Sequence, residues 1–277
     1  MRNVWNLYKF ELRQNTPSFL VWFTTITIVL VAFMALFPTF SSSQYLELIN
    51  AKISILPAVY ARGFGIQAGA TGAMFQQIFF WYAYMFQFYI IAIIIYAINL
   101  GSGIVAKEHS EKHIDYLATK PIKKSLIIIV KYKVLITYIL LFTVLLFVIS
   151  IPVLVVFDNT NSQFGPQLVR LTIKVFFEYV FFGTLAFSIS AINKKTARLS
   201  IIVIGLFFVS YLLGIASSVQ NQLNQLVYLS PFFMFQSTTA GQGFSSTDLW
   251  YMLVLAILSV LMFGLAVWRY STKDLSL

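Results

Sequence analysis

Six long apolar segments dominate the 277-residue chain. A helix needs about 20 mostly apolar residues to cross the ~30 Å hydrocarbon core of a bilayer, and each segment is about that long. Five of them contain no charged residue, and the fourth contains only Glu178. None shows the polar and apolar alternation of membrane barrel strands. The sequence therefore predicts an all-α integral membrane protein with six transmembrane helices in one transmembrane domain, residues 1–277. The predicted spans are Phe19–Phe37, Ile78–Ile98, Val134–Val156, Val175–Ile192, Leu199–Ala216 and Leu249–Trp268.

The composition excludes several classes of protein. Hydrophobic residues make up 59% of the chain and charged residues 10%, whereas soluble domains have roughly 45–50% and about 25%. The chain has no cysteine, which excludes disulfides, thiolate metal sites and a cysteine nucleophile. A net charge of +10 would suggest nucleic-acid binding in a soluble protein. In a membrane protein the basic residues instead indicate which loops lie on the cytoplasmic side. No nucleic-acid partner is therefore expected.

The basic residues divide unequally between the two sides of the predicted membrane. Fifteen lie in the two termini and the even-numbered connections, and four lie in the alternate loops. Because Lys and Arg concentrate in cytoplasmic segments, both termini are predicted to be cytoplasmic. Val4–Arg13 is predicted to form an N-terminal amphipathic helix along the membrane surface. The outer loops 38–77 and 217–248 are predicted to hold a broken or re-entrant element and a short interfacial helix, respectively.

The chain has few of the residues that ATP binding or ion-driven transport would need. The G-x-x-x-x-G-K-[ST] pattern that cradles nucleotide phosphates does not occur in the chain, so ATP binding by that route is not predicted. Ion-driven transport usually needs several charges inside the spans, and Glu178 is the one available. It has two interpretations: a structural group that snorkels to the outer interface or pairs with Lys174, and a contact for cargo or protons.

The cytoplasmic connection between spans two and three is the densest polar cluster. Its segment Lys107–Leu117 is predicted to be an exposed helix, which Pro121 ends because the residue before proline disfavours helical geometry. His109 and His113 lie four residues apart, but H-S-E-K-H lacks the H-E-x-x-H order of a zinc protease helix, so no metal is predicted. A short charged helix at the membrane surface favours docking of a cytoplasmic partner.

At these residues the sequence resembles permease subunits of ABC type 2 exporters. The matching positions are Glu108, Glu111, Ile114, Asp115, Tyr116, Leu117, Thr119, Lys120, Pro121, Ile122 and Lys123. The family's Gly-Thr is replaced by Lys112-His113. Weaker similarity to bacitracin-, lantibiotic- and phenol-soluble-modulin-type exporters extends over most of the chain. It is carried by Leu56-Pro57, Phe64-Gly65, Leu229-Ser230-Pro231-Phe232, Arg269-Tyr270 and Lys273-Asp274-Leu275.

The resemblance implies a multi-pass protein of the bacterial cell membrane that exports cargo with energy from separate ATPase subunits. Two ATPases and a second permease, identical or different, would complete the complex. ATP and Mg²⁺ would bind to the ATPases, and no cofactor to this chain. The cargo would be amphipathic or hydrophobic, with peptides favoured and antimicrobial-peptide resistance as one setting. The implied ATPase-coupling residues are Glu108, Glu111, Asp115, Tyr116, Leu117, Lys120 and Pro121.

Two other functional classes remain open from the residues alone. A membrane-embedded lipid-modifying enzyme or protease would need ionisable groups at one depth, for which Glu108, His109 and Asp115 are the candidates. A scaffold or sensor that does not transport would use the same docking helix to recruit a regulator. An ATPase that co-purifies with the chain would favour export over both alternatives.

Overall fold

The computed structural model describes residues 2–55, 72–110, 123–158, 164–193, 199–219, 221–230 and 243–272. Within these ranges the chain is helical and contains no strand. Its α-helices are α1 (Arg2–Ala35), α2 (Phe37–Phe40), α3 (Ser43–Ile55), α4 (Ile78–Ser110), α5 (Lys124–Phe157), α6 (Gly165–Ile192), α7 (Leu199–Val219) and α8 (Ser246–Thr272). Two 3₁₀ helices cover Gly72–Gln76 and Asn221–Leu229.

Six of these helices are long and apolar enough to cross a membrane. They coincide with the six predicted spans, so the prediction of an all-α integral membrane protein is confirmed. Helices α1 and α5 have 34 residues each and α4 has 33, which makes each about 50 Å long. A bilayer core of ~30 Å covers only part of that length, so these three helices extend beyond it.

Helices α4 and α6 form the centre of the bundle. In their most apolar stretches 67% and 61% of the residues are buried, compared with 17–33% in the other four long helices. The two helices meet at Gly101 and Gly183, where glycine lets the backbones approach closely. Helix α4 is also tied to α5 by a hydrogen bond of 2.8 Å between the hydroxyls of Tyr82 and Ser150.

The N-terminal segment is not a separate helix. Val4–Arg13 is helical, as predicted, but α1 continues through Pro17 into the first span without interruption. Proline lacks the N–H that would close one helical hydrogen bond. Contacts with α5 hold the helix together on both sides of it, because Thr16 bonds the Tyr138 hydroxyl at 3.0 Å and the Phe19 ring packs on the Tyr138 ring.

The predicted outer segments contain short helices. The described part of loop 38–77 consists of α2, α3 and the 3₁₀ helix Gly72–Gln76. At its base the Trp81 indole donates to the Phe33 carbonyl at 3.1 Å and packs against the rings of Phe40 and Phe75. The short helix predicted in loop 217–248 is present as the 3₁₀ helix Asn221–Leu229.

Candidate functional site

The residues predicted to couple the chain to an ATPase lie at the inner end of α4 and beyond it. Glu108 is in the last turn of α4, which continues without a break from the membrane span through Lys107 to Ser110. The start of the predicted docking helix is thus an extension of α4 and not a separate element. The other members of the set lie outside the described residues: Glu111, Asp115, Tyr116, Leu117, Lys120 and Pro121. His113, which the sequence analysis considered with His109 as a metal ligand and rejected, lies there as well.

A buried ion pair lies one helical turn away from Glu108 along α4. The Lys131 ammonium on α5 donates to Glu11 Oε1 on α1 at 2.6 Å and to the Ile104 carbonyl on α4 at 2.8 Å. Both charged residues are almost completely buried, with 2% and 4% of their surfaces exposed. Three helices therefore meet at one ammonium group, which we call the inner clasp (Glu11, Lys131 and the Ile104 carbonyl).

A further polar contact holds α1 against α5 near the inner clasp: the Tyr8 hydroxyl on α1 and the Thr137 hydroxyl on α5 bond at 2.8 Å. Within α1, the Asn15 amide donates to the Glu11 carbonyl at 2.8 Å. The opposite side of α1 is exposed and carries Trp5 with Lys9, whose ammonium lies 5.2 Å from the centre of the indole ring. Aromatic and basic residues together are typical of a membrane interface.

The sequence interpretation missed the inner clasp because it counted Lys131 only among the basic residues of a cytoplasmic connection and assigned no contact to Glu11. A signal was nevertheless present in the chain. Glu11 and Asn15 recur at the helical spacing of the apolar residues Tyr8, Leu12 and Phe19, which marks a buried stripe. The spacing indicates burial, but it does not indicate which helix covers the stripe.

A second ion pair joins α6 to α8 near their predicted outer ends. The Lys174 ammonium donates to Asp248 Oδ2 at 2.8 Å, and its side chain is 1% exposed. Asp248 and Ser245 also form a reciprocal cap, in which the Ser245 backbone N–H donates to Asp248 Oδ2 at 3.0 Å and the Asp248 N–H to Ser245 Oγ at 3.1 Å. Ser-x-x-Asp before an apolar run is a capping-box pattern, so the sequence did contain a signal for this site.

Glu178 does not occupy either of its predicted structural positions. Lys174 pairs with Asp248 and not with Glu178, and the Glu178 side chain does not snorkel, since the residue is 1% exposed. Helix α6 begins at Gly165, ten residues before the predicted span, which puts Glu178 at the midpoint of the helix. Among the described residues, neither carboxylate oxygen has a hydrogen-bond partner.

An unpaired carboxylate at this depth is unfavourable. Burying such a charge costs many kcal/mol, a cost that only the neutral acid or a new partner avoids. Ionisable side chains inside a membrane are retained mainly where they have a function. Glu178 is close enough to the Tyr251 hydroxyl on α8 to interact with it electrostatically. It therefore belongs to the same α6–α8 interface as the Lys174–Asp248 pair, one turn deeper.

A small cavity lies between α4, α5 and α6. Its volume is about 10 Å³, close to the minimum for one water molecule. Four side chains with hydroxyl groups contribute to its lining: Tyr82, Thr143, Thr172 and Tyr179. A cavity of this size does not admit cargo.

Comparison with known families identifies the chain at the level of its class. The family model described as ABC-2 family transporter protein matches residues 5–275. The chain belongs to the ABC-2 transporter family. This ABC-2 permease is accordingly a transmembrane component of an ABC exporter and not its ATPase, as the resemblance implied. The family and the six apolar helices indicate a multi-pass protein of the bacterial plasma membrane.

A search of the curated proteins found no match to the chain. The likeness to bacitracin-, lantibiotic- and phenol-soluble-modulin-type exporters therefore stays a prediction. So do the identity of the cargo, the number of subunits and the roles of the coupling residues. The family implies an ABC ATPase as partner, because a transmembrane component of this class works with one.

Proposed function

We propose that this ABC-2 permease exports an amphipathic peptide, together with a second permease and two ATPase subunits. The observation that carries the proposal is the length of α4. This central helix runs unbroken from Ile78 to Ser110 and brings Glu108 about 15 Å beyond the end of the predicted span at Ile98. An ATPase that binds the connection after α4 would thus act on the most buried helix of the bundle.

Coupling would proceed along α4. A helix supported on several sides moves as a rigid rod, because close-packed interiors do not deform continuously. The Glu108, Glu111 and Asp115 carboxylates would orient the ATPase, while Tyr116 and Leu117 would fill an apolar pocket on it. Lys120 and Pro121 would end the docking segment before α5 begins. A push on this segment would reach Gly101 and, through it, α6.

The cargo path would form between two permeases. Helices α1, α7 and α8 are the least buried of the six, with 17–22% of their most apolar stretches inside the subunit. Their outward surfaces are available to lipid or to a second copy or a related permease. The exposed side chains on them are mainly Leu, Ile, Val, Phe and Trp, which suits amphipathic or hydrophobic cargo and favours peptides over small ions.

Glu178 is a second candidate for cargo contact. Its carboxyl group has no hydrogen-bond partner among the described residues, so a cationic group of a peptide would be a favourable partner. Such contact requires α6 and α8 to separate, because Glu178 is buried between helices. A Glu178→Gln variant that retains ATPase activity but exports a cationic peptide more slowly than a neutral one would support this role.

The proposed function is tested by co-purification of the permease with its ATPase in detergent. We expect Glu108→Lys and Glu111→Lys to weaken the association by reversing charge. Tyr116→Ala should cost more, about 2 kcal/mol if it is an anchor of the interface. Glu47→Lys on α3 is the matched control, since Glu47 is exposed and lies in the predicted outer segment.

Two outcomes would contradict the proposal. If the three variants retain the ATPase as tightly as the wild type does, the connection is a solvated loop and coupling runs elsewhere. If the wild-type permease captures no ATPase, the scaffold and enzyme alternatives regain weight. Direct export is measured separately, as ATP-dependent transport of a fluorescent amphipathic peptide in proteoliposomes that contain the complex.

A further inference from the structure

The inner clasp contains a buried charged group, the Lys131 ammonium, at a position where an apolar residue would be less costly to bury. Lys131 follows four apolar residues, Ile127–Val130, and is 2% exposed on α5. Removing an ammonium from water costs several kcal/mol, and replacing a buried ion pair by apolar residues of similar volume is often neutral or stabilising. Packing alone therefore does not explain why lysine occupies this position.

The Lys131 ammonium on α5 contacts two other helices, α1 and α4. One contact is to Glu11 on α1, and the other is to the backbone of α4 at Ile104. In an α-helix the carbonyl of residue 104 also accepts the N–H of residue 108. Lys131 thus grips the turn of α4 that carries Glu108, the first residue of the predicted docking surface.

The ion pair is only partly satisfied, which is unusual for a purely stabilising contact. Glu11 Oε1 accepts from Lys131, but Glu11 Oε2 has no hydrogen-bond partner among the described residues. A half-satisfied buried polar network is less stable than an apolar core. By contrast, Asp248 in the outer pair accepts from both Lys174 and the Ser245 backbone. The incomplete hydrogen bonding of Glu11 therefore suits a contact that changes during transport better than one that only stabilises the fold.

We propose that Lys131 and Glu11 are positioning residues that transmit movement between the inner end of α4 and the N-terminal helix α1. This inference rests on the proposed function, since it assumes that an ATPase moves the connection after α4. When that connection moves, the Ile104 carbonyl displaces the Lys131 ammonium, and the ammonium carries Glu11 and α1 with it. Helix α1 then follows the nucleotide state of the ATPase through the inner clasp.

The test measures movement of α1 directly, in the permease bound to its ATPase. The chain has no cysteine, so spin labels can be attached at Arg13→Cys on α1 and, as the reference, at Ser271→Cys near the C-terminal end of α8. Both positions are exposed. The distance between the labels is compared without nucleotide and with ATP plus vanadate, which traps the ATPase. We expect trapping to shift this distance by several ångströms in the wild type.

The main variant is Glu11→Gln with Lys131→Met, which removes both charges and leaves no unpaired ion. It should bind ATPase and trap nucleotide as the wild type does, but lose the shift at α1. Glu11→Gln alone keeps the contact with Ile104 and should reduce the shift, in case the double variant folds poorly. Lys131→Arg should restore the shift, and Lys133→Met, an exposed lysine on the same helix, should not change it.

The outcomes separate this inference from the proposed function. If the wild type binds ATPase but α1 does not shift, or if the double variant shifts as the wild type does, the inference is wrong and the proposed function stands. If all clasp variants lose the fold together, including Lys131→Arg, the clasp is structural and the inference is wrong. If the wild type binds no ATPase, the proposed function itself fails.

Discussion

Gly101 on α4 lies directly against the backbone of Gly183 on α6. A Cβ atom at Gly101 would overlap the Gly183 carbonyl oxygen and lie 3.2 Å from the Phe187 nitrogen. Backbone atoms cannot rotate away as the end of a side chain can, so the two central helices would have to separate. Glycine at this position is therefore required by the distance between the helices and not by its backbone conformation.

Gly101→Ala should destabilise the permease by about 1–3 kcal/mol, the usual cost of overpacking. Gly103→Ala is the matched control, because a Cβ there meets no atom within 4 Å and alanine favours the helix. Thermal unfolding of the two variants in the same detergent gives the comparison. Equal melting temperatures would show that α4 and α6 are not as close in the protein as the structure has them.

Removal of Asp248 should be compensated in part by Glu178. Asp248→Asn leaves the buried Lys174 ammonium without its carboxylate, which would cost about 3–5 kcal/mol if no substitute existed. Glu178 lies four residues from Lys174 on the same helix, a spacing that allows an ion pair. We expect Asp248→Asn to be mild, Glu178→Gln to be mild, and the double variant to lose about 1–3 kcal/mol more than their sum.

A double-mutant cycle of thermal stabilities measures this coupling. Glu47, which is exposed on α3 and far from Lys174 in the chain, supplies a control carboxylate: Glu47→Gln with Glu178→Gln should be additive. Additivity in the Asp248–Glu178 cycle as well would mean that Lys174 does not change partners and that Glu178 is independent of it.

Ser245→Ala should weaken the start of α8. The serine hydroxyl accepts from the Asp248 N–H, and loss of such a cap typically costs about 1 kcal/mol. Ser246→Ala, one residue further and exposed, should have little effect. Hydrogen exchange of the first turn of α8 is the most direct measurement, since fraying is confined to that turn. Equal protection in both variants would contradict a capping role.

The predicted orientation can be tested by labelling single cysteines with a reagent that does not cross membranes. Cysteines at Ser42 and Ser246 should react in intact cells, while one at Lys123 should react only after lysis. All three positions are exposed, so differences in labelling report the side of the membrane. The opposite pattern would place the connection between α4 and α5 outside the cell and remove the basis for ATPase docking.

The sequence alone was sufficient for the number of spans, because a bilayer demands long uncharged segments wherever a helix crosses it. The apolar centres of the predicted spans also lie within a few residues of those of the six long helices. The ends were less accurate: α6 begins at Gly165 and not near Val175, since a helix also includes polar residues that neighbouring helices cover. The N-terminal helix was predicted, but its continuity through Pro17 depends on contacts with α5.

The pairing of charges was decided by the tertiary structure. Lys174 and Glu178 have the spacing of an ion pair on one helix, yet Lys174 bonds Asp248, 74 residues away, on another. Glu11 and Lys131 are 120 residues apart, and their burial stripe indicated no partner. The spacing of residues along a helix shows which side chains share a face of that helix. The energy of a buried charge depends on which neighbouring helix covers that face. The apolar pattern therefore determined that the chain crosses the membrane six times, and only helix packing determined which of its few charges meet.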